Sequence, residues 1–276
     1  MTTHDTIPSL GPLFAKAVLT RSHAKTLPDT RLSVADQPID AERLWRYQQL
    51  CGFRVSAVLP PTYLHLMTFP LSISLMAGSS FPFPLLGLVH VANRIDQLRP
   101  VTSDERVTVS AWAQNLREHP AGRQVDLVSE ARVADELVWH EVSTYLHREQ
   151  SSAKKAPSDR GETLARPVIR WKAPAGVGRD YAAISGDRNP IHLADLTAKA
   201  FGFKGAIAHG MWLKARTLAA FEGRLPEAGA FEVAFKTPVF LPSTVELQSQ
   251  EPGLSWDFEV HNVRNGKPHL TGTISR

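Results

Sequence analysis

Tyr181-Ala-Ala-Ile184-Ser185-Gly186-Asp187 repeats a pattern met earlier as Tyr47-Gln-Gln-Leu50-Cys51-Gly52-Phe53. The offset is constant at 134, from 47 to 181 and from 53 to 187, so the 276-residue chain reads as two units of one design. Each copy precedes a mostly apolar segment of helical length, Thr62 to Gly78 in the first half and Ile207 to Phe221 in the second. Met211, Ala215, Leu218 and Ala219 fall at i, i+4, i+7 and i+8, the spacing of a buried helix face. Pro70 predicts a kink or an early end in the first helix, because it lacks an N–H and crowds the carbonyl four residues back.

Beyond each helix the pattern is that of strands. They are expected at Gly87 to Asp96, Arg106 to Asn115, Gln124 to Val133 and Glu136 to Arg148, then at Phe231 to Thr237, Thr244 to Gln250, Ser255 to Val263 and Lys267 to Ser275. Glu118 to Gly122 and Asn262 to Gly266 read as hairpin turns. A helix that is apolar on most faces needs a strongly twisted sheet wrapped around it. The fold class is therefore α+β: two hot-dog units, with their sheets joined edge to edge so that an exposed edge strand is removed. The polar stretch Glu149 to Arg166 reads as the connection. It gives an N-terminal unit over 1–148, a linker over 149–166 and a C-terminal unit over 167–276.

Composition excludes whole classes. At 43% hydrophobic, 21% charged and 8% aromatic, the chain is that of an ordinary globular protein, neither disordered nor fibrous. One cysteine, Cys51, allows no internal disulfide and no cysteine cluster for a metal, and points to a reducing compartment. The net charge of +4 comes without any long basic run, which argues against nucleic acid as a partner. No segment has the roughly 18 apolar residues of a membrane span, and the N-terminus lacks a basic leader, so the expected location is cytoplasmic.

The second copy of the repeat carries chemistry that the first lacks. Ser185-Gly186-Asp187 ends a helix and Asn189-Pro190 forces a turn, so Asp187 and His192 do not share a helical face and the turn can aim both at one point. A carboxylate and an imidazole that reach one water make an acid–base pair. Gly210 stands where the apolar helix begins, and its free N–H at the positive end of the dipole can donate to a developing oxyanion. In the first half Phe53 replaces Asp187 and Val58 replaces His192, so one site per chain is expected.

At Tyr181 through Ala198 and Ile207 to Gly210 the sequence resembles the MaoC-like hydratase/dehydratase family, the (R)-specific enoyl-thioester hydratases and 3-hydroxyacyl-thioester dehydratases of double-hot-dog type. It meets the pattern Y-x-x-aliphatic-S/T-G-D-x-N-P-aliphatic-H-x5-A at every position. The resemblance implies that Asp187 and His192 hold and activate water, that Gly210 N–H polarises the thioester carbonyl, and that Asn189, Tyr181 and Ser185 support substrate and loop. It implies reversible hydration of trans-2-enoyl thioesters to (3R)-3-hydroxyacyl thioesters in fatty-acid metabolism, with no cofactor and no metal. The substrate would be acyl-CoA or acyl-ACP, with acyl carrier protein as a possible partner, no membrane partner, and a monomer or homodimer as the working form. Many relatives have Asp-Pro shortly after the histidine and a proline before Ile-x-His-Gly. Here Asp195-Leu196 and Ala206 stand in those places, which bears on loop rigidity.

Two other readings compete, a hot-dog acyl-thioesterase and a non-catalytic acyl-thioester binding module. His209 reads as structural. His65, His90, His119, His140, His147, His261 and His269 lack the i, i+4 spacing of a zinc helix, and no Gly-rich phosphate loop follows a strand. Lys199, Lys204, Lys214 and Arg216 flank the motif, either as solvated helix charges or as phosphate contacts.

Overall fold

The computed structural model describes residues 2–4, 6–19, 24–149, 168–251 and 253–276. Its first elements are β1 (Thr2–His4), α1 (Leu10–Leu19), β2 (Leu32–Pro38), α2 (Ala41–Cys51), α3 (His65–Met76), β3 (Leu88–Gln97), β4 (Arg106–His119), β5 (Gly122–Val133) and β6 (Glu136–Arg148). They are followed by β7 (Val168–Ala173), α4 (Val177–Ser185), a 3-10 turn (Pro190–His192), α5 (Asp195–Ala200), α6 (Gly210–Ala219), β8 (Gly229–Phe235), β9 (Ser243–Gln250), β10 (Ser255–Asn262) and β11 (Pro268–Ser275). The chain divides into two compact units, and α2 belongs to the second although it precedes most of the first: Ala41–Ser56 cluster with the C-terminal residues. Residues 150–166 of the expected linker lie outside the described residues.

In the first unit the strand order is β1-β2-β4-β5-β6-β3, antiparallel except for the parallel pair β1 and β2. The β4–β5 hairpin turns between His119 and Gly122, inside the stretch whose composition marks a turn. Helix α3 packs on β4 and β5 with every residue buried except Ser74. Pro70 lies inside α3 without ending it. Burial on all sides supplies more stabilisation than the single hydrogen bond a proline removes, and tertiary packing decides most helices in proteins. Strand β2 and helix α1 carry no clear period in the sequence and are decided by packing. Asp36 in β2 has φ 52°, and the register with β4 shifts between Val34 and Gln37, which breaks the alternation.

The second unit has strand order β8-β11-β10-β9-β7, all antiparallel. Val245, Leu247, Phe258, Val260 and Leu270 alternate inward and are buried. Edge strand β7 falls outside the expected strands, and in it Arg170 and Lys172 alternate with inward Trp171 and Ala173. Helix α6 is buried over most of its length.

The repeat is geometric as well as textual. Helices α2 and α4 pack together with the Tyr47 and Tyr181 rings 6.3 Å apart, and both end in a left-handed glycine, Gly52 at φ 79° and Gly186 at φ 82°. Arg216 lies against the end of α2, its guanidinium 5.1 Å from the centre of the Trp171 ring and 3.2 Å from where a Cβ on Gly52 would stand. A cation there also complements the negative end of the helix dipole. Gly52→Ala is expected to cost about 1–2 kcal/mol through left-handed strain. A urea denaturation midpoint equal to that of the parent would contradict this account.

Candidate active site

Three successive side chains wind the motif turn in steps of two. Ser185 Oγ accepts from Asp187 N–H at 3.1 Å, Asp187 Oδ1 from Asn189 N–H at 3.1 Å, and Asn189 Oδ1 from Ile191 N–H at 3.4 Å. Such bonds are what short polar side chains offer a turn. Ser185 also donates to Tyr181 O at 2.8 Å, and Gly186 N–H closes α4 onto Ala182 O at 2.9 Å. Pro190 starts the 3-10 turn with Asn189 as its cap. Asn189 and Ser185 thus act on the direction of Asp187 through the backbone.

The turn delivers His192 into a buried position, where its Nδ1–H donates to Ile207 O at 2.8 Å. A second bond, Ile207 N–H to Ile191 O at 3.1 Å, fastens the same two segments. With Nδ1 committed as donor, neutral His192 presents an unprotonated Nε2. Burial pushes the His192 pKa below its ordinary value, while the Asp187 charge and the bond to Ile207 act in the opposite direction. The imidazole is therefore a base at neutral pH.

One side-chain N or O atom from each of Asp187, His192 and His209 lies within 4.8 Å of the others. A single water making hydrogen bonds of about 2.8 Å bridges a gap of that size. The three donors also have the types a divalent cation accepts. However, His209 already donates Nε2–H to Asp187 O at 3.0 Å, and its Nδ1 is buried without a hydrogen-bond partner among the described residues. To ligate through Nε2, the proton would have to move onto Nδ1 and lose its acceptor, which costs about 1–3 kcal/mol. With His209 Nε2–H given to the Asp187 carbonyl, Asp187 and His192 are the two groups left to meet at one water.

Gly210 is the first residue of α6, after His209 in extended conformation, so its N–H has no acceptor one turn back. A Cβ there would meet the Phe235 ring at 3.0 Å, and glycine keeps this approach open. Tyr181 is buried, its ring 4.9 Å from that of His209.

Ala206 uses an N–H that a proline would lack, donating to Asp195 Oδ1 at 2.8 Å. A hydrogen bond here replaces a ring as the loop's restraint. Lys214 is no phosphate contact: it is fully buried and donates to Phe231 O at 2.8 Å. Cys51 is packed rather than reactive, its thiol pKa pushed up by burial. Sequence patterns missed Gly178. A Cβ on it would overlap the His192 carbonyl oxygen, so this position in α4 is where the turn seats itself. Its only trace in the sequence is a glycine inside a helix, which usually has a packing reason.

Residues 174–273 match the MaoC like domain model. Over 251 residues the chain is 39% identical to 3-hydroxyacyl-thioester dehydratase X of Mycobacterium tuberculosis, covering 90% of each. The crystal structure of HtdX from that organism aligns with TM-score 0.79 at 38% identity, over 89% of this chain and 99% of that one. A conserved hypothetical protein of the same organism with a double hot-dog fold aligns with TM-score 0.57 at 11% identity, over 93% of this chain and 98% of that one. The two units described above are accordingly a double hot-dog fold.

Two outcomes follow from this packing. Gly178→Ala should destabilise by about 1–3 kcal/mol through overpacking, although at an ordinary helix position the same change stabilises. A melting temperature at or above the parent's would remove Gly178 from the account. His192 and His209 both have folded pKa values below the ordinary 6.5. The unfolded chain therefore binds more protons below that value, and the stability present above pH 6.5 is lost as pH falls through the folded values. Calorimetry from pH 7.5 to 5 should show a falling melting temperature, and a flat profile that stays flat in the His209→Gln variant would contradict the assignment.

Proposed function

This chain belongs to the MaoC-like dehydratase family, and from that premise we propose that it catalyses the reversible hydration of trans-2-enoyl thioesters to (3R)-3-hydroxyacyl thioesters in fatty-acid metabolism. The observation that carries the reading is a neutral His192 with a free Nε2, held with Asp187 and His209 around a gap of 4.8 Å or less, with His209 immediately preceding Gly210, the first residue of α6. Its 3-hydroxyacyl-thioester dehydratase relative, at 39% identity, supports the reaction class, that of a hydro-lyase.

In the hydration direction the thioester carbonyl rests on Gly210 N–H. That N–H, at the positive end of the α6 dipole, lowers the enolate that forms as water adds, and one such donor is worth about 3 kcal/mol. Asp187 and His192 hold the water. Its oxygen bonds to C3 as its proton passes to the pair, and the pair returns a proton to C2 on the same face. Dehydration is the reverse. The steps use only proton transfers and one C–O bond, so no redox group enters. The acyl group arrives on coenzyme A or on acyl carrier protein, and the working form is a cytoplasmic monomer or homodimer. No helix among the described residues is long and apolar enough to cross a membrane.

A panel of enoyl and 3-hydroxyacyl thioesters of graded length, on both carriers and followed by mass, tests the reading. The expected product is a water adduct with its thioester intact. Release of free thiol would make the protein a thioesterase, and tight binding without turnover an acyl-binding module. Asp187→Asn keeps the shape of the turn and should lower kcat by about 10²- to 10⁴-fold, with substrate binding little changed. Full activity in this variant would refute the assignment of Asp187.

A further inference from the structure

His209 is more than a core histidine. It is buried at 3% exposure, and its ring meets three residues of the site. Its Nε2–H donates to the Asp187 backbone carbonyl at 3.0 Å, and the same nitrogen lies 3.7 Å from Asp187 Oδ2. Its ring stacks on His192 with centroids 3.7 Å apart and planes at 27°. Its ring centre lies 4.9 Å from that of Tyr181, and its main chain leads directly into Gly210.

We infer that His209 is a positioning residue: placed immediately before Gly210, it clamps the Asp187 carbonyl and the His192 ring, and so sets the acid–base pair at a fixed distance from the oxyanion donor. The inference rests on the hydratase reading for its kinetic consequence but not for its geometry. Gly210 reaches the pair along no shorter covalent route. The chain between Asp187 and Gly210 passes through the 3-10 turn, α5 and the following loop. Ile207 cross-links these segments through its carbonyl to His192 and its N–H to Ile191, and the His209 side chain adds the cross-link to Asp187 itself.

The clamp works as neutral imidazole with its proton on Nε2. The ionisable groups facing the ring are Asp187, His192 and Tyr181. Burial, and after it the nearness of His192, keep the His209 pKa well below its ordinary value. A second proton would sit on Nδ1, which has no hydrogen-bond partner among the described residues.

Two substitutions separate donor from packing. His209→Phe keeps a ring against His192 and loses the donor. His209→Gln can place an amide N–H where Nε2–H stood. Misplacement by about 1 Å costs about a hundredfold in rate, so His209→Phe should lose about a hundredfold in kcat with KM changed less than threefold, and His209→Gln should recover at least tenfold of that loss. Equal kcat for His209→Phe and the parent would overturn the inference, as would an equal loss in both variants. Should the parent show no hydratase turnover, the functional reading fails while the clamp is still tested, by nitrogen-15 NMR of the ring nitrogens. The expected signature is a neutral Nε2–H tautomer for His209 down to pH 5.5 and a Nδ1–H tautomer for His192 that becomes mixed in His209→Phe. A His209 that titrates near pH 6.5, or one in the Nδ1–H form, overturns the clamp independently of activity.

Discussion

The hydrogen bond from His192 Nδ1 to the Ile207 carbonyl, 2.8 Å long and buried, is the constraint on which the site depends. It does three things at once. It satisfies a buried polar group that would otherwise cost about 1–3 kcal/mol. It selects the tautomer, leaving Nε2 free to take a proton. It also pins the motif turn to the segment that starts α6, so the turn that carries Asp187 and His192 is fastened three residues before Gly210. Desolvation makes the arrangement possible, because a water-exposed imidazole near its ordinary pKa would be charged for part of the time.

The same logic explains why a turn, rather than a helix face, brings Asp187 and His192 together. Asp187 and His192 are five residues apart, a spacing that a helix does not place on one side. The relay from Ser185 to Asp187 to Asn189 to Ile191 occupies alternate backbone N–H groups with side-chain oxygens, so the turn keeps its shape without a ladder of neighbours. Gly186 supplies the left-handed step that ends α4, and Gly178 leaves room for the His192 carbonyl to rest on that helix. Ala206 shows that loop restraint has more than one chemical solution, since its N–H bond to Asp195 stands where a proline ring would otherwise restrict the backbone.

The two copies of the repeat illustrate divergence under a shared fold. Both end a helix in a left-handed glycine, which is a backbone requirement and survives in each. After it, Asp187 begins the turn that leads to His192, whereas Phe53 is buried and its N–H bonds back to Gln48 O at 2.9 Å. Helix α2 also clusters with the second unit, packing on α4 with Arg43 donating to the Ile184 carbonyl at 2.8 Å. A cut of the chain into linear halves has no means of showing this, because segment order along a sequence carries no information about which sheet a helix lies on.

By itself the sequence determined what local chemistry determines. The strands with period two, the apolar helices, the glycine caps and the Asp187–His192 turn are all written in short-range patterns, and so is the loss of that turn in the first half. Only tertiary structure decided the rest. Pro70 stays within α3 because burial outweighs one missing bond. Lys214 is buried on the apolar helix because it finds a carbonyl there. Strand β7 exists because a sheet edge tolerates Arg170 and Lys172 on its open face. His209, read from sequence as a structural histidine, meets Asp187 and His192 only when segments 22 and 17 residues away in the chain (187 to 209, 192 to 209) fold back on one another. Spacing along a chain reports neighbours on one element, whereas contacts between elements depend on how their faces pack, and that information appears only in three dimensions.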